Sequence, residues 1–269
     1  MAPRCGVVGD PIEHSLSPTL HRAGYQALGL DASYTATRVP AGELSAYVAE
    51  LDPAWRGLSV TAPLKREALE LATEVSDRAR RAAGANTLVR TETGWCADNT
   101  DLPGAVAALR ERYSDAVRTA TIIGAGATAA SVGLALAELG ARTIRVLARD
   151  LSRAAPTLEV LAGCVGLEVD LVALDGAAVV GEVVVSTIPS AAQNQGLLAA
   201  TADAAALFDV VYDPWPTPLA RAARDRGQVL VSGLDLLAHQ AVLQFVQFTG
   251  HHGPLEAMRS AGVRALEAR

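Results

Sequence analysis

Aromatic residues are scarce in this chain, with three Phe, three Trp and five Tyr among 269 residues. Together with a formal net charge of −6 and the lack of any basic run, that scarcity argues against nucleic acid as a partner. Cysteine is equally sparse. Cys5, Cys96 and Cys164 are odd in number, far apart and without metal-ligand spacing, so they read as reduced thiols of a cytoplasmic protein, and no metal site is expected. No uncharged apolar stretch is long enough to span a bilayer, and Gly9-Asp10 arrives too soon for a signal peptide, so no membrane association is expected. Internal repeats, low-complexity tracts and charge blocks are also missing. What remains is a chain half apolar and 19% charged, enough for one large domain or two modest ones with a sizeable core.

The stretch around which the rest is organised is residues 121–131, Thr-Ile-Ile-Gly-Ala-Gly-Ala-Thr-Ala-Ala-Ser. It reads as a buried strand, a tight glycine turn and the opening of a helix. Gly124 permits the turn, Gly126 lets backbone approach a pyrophosphate, and small Ala129 allows close helix–strand packing. Free N–H groups at the helix start would face phosphate oxygens at the positive end of the helix dipole. An amphipathic segment, Val132 to Leu139, stops at Gly140, and a second apolar run from Thr143 to Ala148 completes a βαβ unit. The bland alternative is a tight turn in an α/β core. The tip of the second strand bears on the cofactor. An NAD-binding unit places a carboxylate there for the ribose 2′-hydroxyl. This chain has Ala148 and Arg149, with Arg153 one turn on, and two guanidiniums can clamp a 2′-phosphate, so NADP is preferred. Asp150 counts against this unless it points away or caps the next helix.

On the amino-terminal side, a strand at residues 4–9 leads through a loop to Pro18, which suits the first turn of a helix ending at Gly29, with Ser17 as its cap. Ser15 beside it has no evident structural duty, and the pair of hydroxyls fits a polyol ligand. Further strands are expected at residues 32–39 and 57–61, and helices at 42–51 and 66–83. This alternation implies a largely parallel sheet, whose strand ends bind ligands; Thr61 and Lys65 stand at one such end. A lone lysine is more often a solvated surface group. Around Thr93-Gly94 the pattern suits a hairpin that brings Asn86 and Asp101 close together, although each residue type is ordinary in turns. Strands continue near residues 169–174, 182–186, 206–211 and 228–231. Thr187 follows one of them, and Tyr212 lies in the proline-punctuated loop after another. In the last helical region Gln240, Gln244 and Gln247 have helical spacing, so at least one is expected to face a polar cavity. The fold class is therefore α/β with two domains: a mixed, mostly parallel substrate domain and a Rossmann-type doubly wound NADP-binding domain.

With these pieces in hand, the chain resembles the shikimate dehydrogenase family over essentially its whole length. The carrying segments are Ser15-Leu16-Ser17-Pro18 with His21, Ser59 to Lys65, Gly84-Ala85-Asn86-Thr87, Asn99-Thr100-Asp101, Gly124-Ala125-Gly126, Ala148-Arg149-Asp150, Tyr212-Asp213-Pro214 with Thr217-Pro218-Leu219, and Gly233 with Gln240. The resemblance implies reversible reduction of 3-dehydroshikimate to shikimate by NADPH, a step of chorismate and aromatic amino acid synthesis. It implies Lys65 and Asp101 as the catalytic pair, and Ser15, Ser17, Thr61, Asn86, Tyr212 and Gln240 beside them as substrate contacts. Gly124 to Thr128 would hold the pyrophosphate and Arg149 with Arg153 the 2′-phosphate, with Asp77, Ala148, Thr187, Val210 and Gly233 bordering the cofactor. The implied division is residues 1–101 plus 238–269 for substrate and 102–237 for NADP, in a monomer or homodimer. In three places the chain departs from the family's pattern. Ser59 stands where the family often has Asn, Ala148-Arg149-Asp150 where it often has Asn-Arg-Thr, and Leu236 where it often has Met. Two other readings stay open: an NAD-dependent quinate/shikimate dehydrogenase, and a non-catalytic NADP-binding sensor.

Overall fold

The structure is a computed structural model that describes residues 2–269. The chain forms two compact units. The first comprises residues up to Thr100 together with Leu237–Arg269, and the second is Asp101–Leu236.

The first unit is built on strands β1 (Arg4–Gly9), β2 (Ser33–Arg38), β3 (Trp55–Val60), β4 (Glu74–Val75), β5 (Thr87–Arg90) and β6 (Trp95–Asp98), in the order β2-β1-β3-β5-β6-β4. β1 pairs in parallel with both β2 and β3, whereas β5 runs antiparallel to β3 and β6. Helices α1 (Ser17–Leu28), α2 (Leu44–Ala49), α3 (Lys65–Leu71) and α4 (Asp77–Arg81) connect them. Central β1 is buried along Cys5–Gly9, as a strand covered on both faces must be. α1 ends on Gly29 in the left-handed conformation (φ 63°), where glycine lacks the Cβ penalty.

Two local expectations are corrected. Ser17 does not cap α1: the carbonyl of Leu16 already accepts the N–H of Leu20 at 3.0 Å, so the helix starts one residue early. It is the Ser15 hydroxyl that accepts the Ser17 N–H, at 3.3 Å, which gives Ser15 a structural duty. The single helix expected over residues 66–83 is broken into α3 and α4, with β4 between them. There the N–H groups of Thr73 and Ser76 bond to Trp95 O and Ala97 O, so the outer edge of β6 wins the backbone from the helix. Ser76 then caps α4 by accepting from Ala79 N.

The second unit contains α5 (Asp101–Arg112), β7 (Thr119–Ile123), α6 (Ala127–Glu138), β8 (Thr143–Ala148), α7 (Ala155–Ala162), β9 (Glu168–Ala173), β10 (Val183–Ser186), α8 (Gln195–Ala200), β11 (Ala206–Asp209), α9 (Pro218–Asp225) and β12 (Val229–Ser232). All six strands are parallel, in the order β12-β11-β10-β7-β8-β9. The chain starts at the centre, winds outward through β8 and β9, then crosses to β10 and winds out the other way. This is the doubly wound arrangement, with its switch point between β7 and β10. Val183, Val184 and Val185 are fully buried, two feeding the core on one face and one that on the other.

α10 (Gly233–Thr249) begins in the second unit and enters the first at Leu237, followed by α11 (Leu255–Glu267). α10 is seated by two glycines: a Cβ on Gly24 would lie 2.6 Å from the Phe245 ring, and one on Gly57 would lie 2.1 Å from the Phe248 ring. Such ring burial contributes on the order of 2–3 kcal/mol per side chain. Among the described residues, no helix is long and apolar enough to cross a membrane.

Asp98, at the end of β6, ties three elements together. Its carboxylate accepts from Ser76 Oγ at 2.5 Å, from Arg78 Nη2 at 2.5 Å, from Asn99 N at 2.8 Å and from Gln247 Nε2 at 2.7 Å. Burial alone would raise its pKa, but the hydrogen bonds of Ser76 and Arg78 and the Arg78 charge outweigh that and hold it below the usual carboxylate range. A depressed folded-state pKa contributes stability above the unfolded pKa, and that stability is lost as pH falls through the folded value. Asp98→Asn is therefore expected to lower unfolding stability by about 1–3 kcal/mol near neutral pH. The gap to wild type should narrow below about pH 4, as urea unfolding at both pH values would show.

Candidate active site

In the first unit, β1 and β3 are parallel neighbours whose connections leave in different directions, so their carboxyl ends border a crevice. The loop after β1 carries Ser15 and Ser17; the loop after β3 carries Thr61 and Lys65. The two loops touch because residue 9 is glycine, where a Cβ would lie 2.3 Å from Thr61 Cγ2. Backbone bonds from Thr61 N to Val8 O (2.9 Å) and Asp10 N to Ala62 O (3.0 Å) close the contact. Lys65, the first residue of α3, is only 9% exposed. It is also the only lysine of the chain, every other member of the 23 Lys and Arg residues being Arg.

Segment 84–86 joins Lys65 to the hairpin end. Ala85 N donates to Lys65 O at 2.8 Å, and Gly84 O accepts from Asn99 Nδ2 at 2.9 Å. Asn86 Oδ1 accepts from Thr100 N at 2.8 Å. Thr100 is covalently followed by Asp101, which opens α5 and is buried. The sequence-predicted Lys65, Asn86 and the chain entering Asp101 thus converge on one short segment.

Gln240 joins them from α10: its Oε1 accepts from Asn86 Nδ2 at 3.2 Å and lies 3.3 Å from Thr100 Oγ1. At least one of the three helical glutamines is expected to face a polar cavity; in the structure all three hydrogen-bond to polar groups of the protein. Gln244 bonds Ser59 Oγ (2.7 Å), Asn86 O (2.9 Å) and Thr87 Oγ1 (3.0 Å), and Gln247 bonds Asp98. Ser59 in turn meets the Tyr34 phenol at 2.5 Å. Burial pushes the Tyr34 phenol up, opposed by the hydroxyls of Ser59 and Ser17 at its oxygen. His21 stacks on the Tyr34 ring (centroids 4.2 Å apart), and its burial brings its pKa down to about 3, so the imidazole is neutral. Tyr34, Thr87, Thr100 and Gln244 had no assigned role in the sequence. The one available signal was the i, i+4, i+7 row of glutamines on a largely apolar helix.

In the second unit the glycine turn sits at the switch point. Gly124 has φ 108°, and a Cβ there would lie 2.2 Å from Thr187 Oγ1. Thr187 comes this close because its N and Oγ1 both donate to Ile123 O, at 2.8 and 3.0 Å. Thr157 Oγ1 holds Ala125 O from α7 at 2.9 Å. Gly126 caps α6 with an ordinary φ of −94°, and no protein atom lies within 4 Å of where its Cβ would be. The protein itself does not require glycine there, and the space beside it leaves the N-terminus of a twelve-residue helix open to approach. Ala127 and Thr128 form the first turn of that helix. Ala129 is fully buried in the core, but the closest helix packing falls at Gly133, where a Cβ would lie 2.6 Å from Leu161.

Past Ala148, the last residue of β8, Arg149 and Arg153 are both exposed. The Asp150 carboxylate is turned back to accept from Ser152 N (3.0 Å) and Ser152 Oγ (2.6 Å), capping the short 3-10 turn Leu151–Ala154. These bonds keep its pKa below the usual range. Val210 and Gly233 are adjacent: a Cβ on Gly233 would lie 2.2 Å from Val210 O. Beneath them Asp209 accepts from Thr217 Oγ1 (2.5 Å) and Gln193 Nε2 (2.9 Å), while burial pushes its pKa up. Those bonds anchor both ends of the loop that carries half-buried Tyr212. Asp77 differs from the other residues assigned to the cofactor: it lies in the first unit, 93% exposed, with its carboxylate paired to Arg80.

Comparison with known proteins agrees with these features. The family model of the shikimate dehydrogenase substrate binding domain matches residues 7–88, and that of the shikimate 5'-dehydrogenase C-terminal domain matches residues 233–261. The shikimate dehydrogenase (NADP(+)) of Anaeromyxobacter sp. is 38% identical over 97% of this chain and 95% of its own length. The crystal structure of shikimate dehydrogenase from Mycobacterium tuberculosis is 42% identical, with a TM-score of 0.89 over 99% of this chain and 100% of that one. Quinate dehydrogenase from Corynebacterium glutamicum, solved in complex with NAD, is 30% identical, with a TM-score of 0.87 over 98% and 99% of the two chains. The glycine turn, the polar strand ends and full-length similarity to these enzymes place the chain in the shikimate dehydrogenase family.

Proposed function

We propose that the protein is an NADP-dependent shikimate dehydrogenase that interconverts 3-dehydroshikimate and shikimate, serving aromatic amino acid synthesis in the cytoplasm as a monomer or homodimer. The observation that carries this reading is the convergence of Lys65, Asn86 and Thr100-Asp101 on segment 84–86, in a chain whose other unit presents an open glycine turn at its switch point. The first unit is the substrate domain and the second the NADP domain. Ser15, Ser17, Thr61, Asn86, Gln240 and Tyr212 hold the hydroxyls and carboxylate of the substrate.

NADPH, when bound, supplies the hydride for the carbonyl carbon. Negative charge then grows on the carbonyl oxygen and needs a positioned donor. Lys65 is that donor, and Asp101 orients its ammonium and shares the substrate hydroxyl. An arginine could stabilise the charge but could not deliver a proton near neutral pH, which fits a lysine in a chain otherwise furnished with arginine. The backbone of Gly124 to Thr128 holds the pyrophosphate and Arg149 with Arg153 the 2′-phosphate. Ala148, Thr187, Val210 and Gly233 border the dinucleotide; exposed Asp77 has the weakest claim among these assignments.

One observation favours an NAD-linked quinate/shikimate activity instead: Asp150 places a carboxylate next to Arg149, where a free 2′-hydroxyl would be recognised. The capping bonds to Ser152 engage that carboxylate and support the NADP reading. An absorbance assay of shikimate and quinate with each cofactor is expected to show turnover with shikimate and NADP. No turnover with any pair would instead support the non-catalytic sensor. Lys65→Ala is expected to lower kcat by about 100-fold or more with little change in shikimate affinity. Near-normal turnover in that variant would remove Lys65 from the catalytic role. Arg149→Ala with Arg153→Ala is expected to weaken NADP binding by roughly tenfold or more while leaving NAD binding nearly unchanged, as fluorescence titration would show.

A further inference from the structure

Gln244 has no role in the reading above, yet its buried amide makes three hydrogen bonds of fixed sense. The backbone carbonyl of Asn86 can only accept, so the Gln244 group 2.9 Å from it is the NH2, and Oε1 faces Ser59. Ser59 therefore donates to Gln244 and takes the phenol proton of Tyr34. Thr87 Oγ1 already accepts from Gln244, so it donates onward to Asn86 Oδ1 at 2.8 Å. The Thr100 N–H, which can only donate, points at the same oxygen. Asn86 must then turn its Nδ2 to Gln240 Oε1, and Gln240 spends one N–H on the carbonyl of Leu237 at 2.9 Å, leaving its second. Ser59, Gln244, Thr87, Asn86 and Gln240 form a relay with one direction, and backbone groups of fixed polarity pin its three amides.

We propose that Gln244 is a positioning residue for substrate recognition: by directing the Thr87 hydroxyl onto Asn86 Oδ1, it reinforces the amide orientations that the Thr100 N–H and the Leu237 carbonyl set, so that Gln240 offers an N–H, and not a carbonyl, to an acceptor oxygen of the ligand. This rests on the assignment of Asn86 and Gln240 to shikimate, and deepens it by naming the chemistry selected at that corner. Burial of Tyr34 keeps its phenol protonated and able to start the relay. Water has no access to exchange with any link, since Tyr34, Ser59, Thr87 and Gln244 are all buried.

Gln244→Glu keeps the shape but, with one O–H at most, cannot donate to both the Asn86 carbonyl and Thr87 Oγ1, so the direction of the Thr87 hydroxyl onto Asn86 Oδ1 is no longer fixed. The Kd for shikimate by calorimetry and the KM for shikimate are expected to rise about tenfold or more, with kcat and the KM for NADP within about twofold of wild type. Thr87→Val should raise the KM in the same direction, and Thr87→Ser, which restores the hydroxyl, should return it to the wild-type value. A purely structural role would lower the melting temperature of these variants and leave KM in place. The proposal is overturned if Gln244→Glu and Thr87→Val bind shikimate as wild type does. Should Gln244→Glu fail to fold, the Thr87→Val and Thr87→Ser pair decides by itself. Wild-type protein that binds no shikimate would overturn the functional reading first, and is thereby distinguishable.

Discussion

In a parallel sheet every strand delivers its carboxyl end to the same edge, and a connection that reverses direction opens a crevice there. Both units of this chain are governed by that constraint. In the second unit the reversal lies between β7 and β10, and the glycine turn and Thr187 occupy it. In the first it lies between β1 and β3, where the loops bearing Ser15, Ser17, Thr61 and Lys65 emerge. Glycine at positions 9 and 124 is what lets neighbouring strand ends approach so closely, since a Cβ would collide with Thr61 or Thr187. The polar groups of the candidate site thus follow from where parallel strands stop.

Once delivered there, these side chains are held by hydrogen bonds whose sense the backbone dictates. Neutral hydrogen bonds contribute only about 1 kcal/mol each, but a buried amide facing the wrong way leaves donors opposite donors and costs more. The amides of Asn86, Gln240 and Gln244 each face a backbone group that can only donate or only accept. Asp98 and Asp209 act in the same manner with charge, each gathering donors from separate elements near a loop that carries site residues. Their opposite pKa directions reflect what surrounds them: Asp98 has a guanidinium beside it, and Asp209 has only neutral donors.

Much of this was legible along the chain because the responsible contacts are local. The β-branched run into Gly124, the stop at Gly29 and the arginines after Ala148 act within a few residues of themselves, and the structure has each where its local pattern put it. Ser17 as a cap failed through a local hydrogen bond one residue away, and the long helix after Lys65 failed because a distant strand intervened. The Leu16 carbonyl shifted the first turn of α1, and the edge of β6 drew the backbone of residues 73–76 into a strand. Ser59 and Gln244 lie 185 positions apart, and no local pattern links them.

The sequence by itself determined the glycine turn between β7 and α6, the alternation of strand and helix, and the placing of a single lysine among arginines, because backbone freedom, periodicity and side-chain acidity belong to residues and their near neighbours. Only the tertiary structure decided which way each amide points, where Asp150 turns its carboxylate, and which hydroxyl meets which helix. Those outcomes depend on donors and acceptors brought together from segments far apart in the chain.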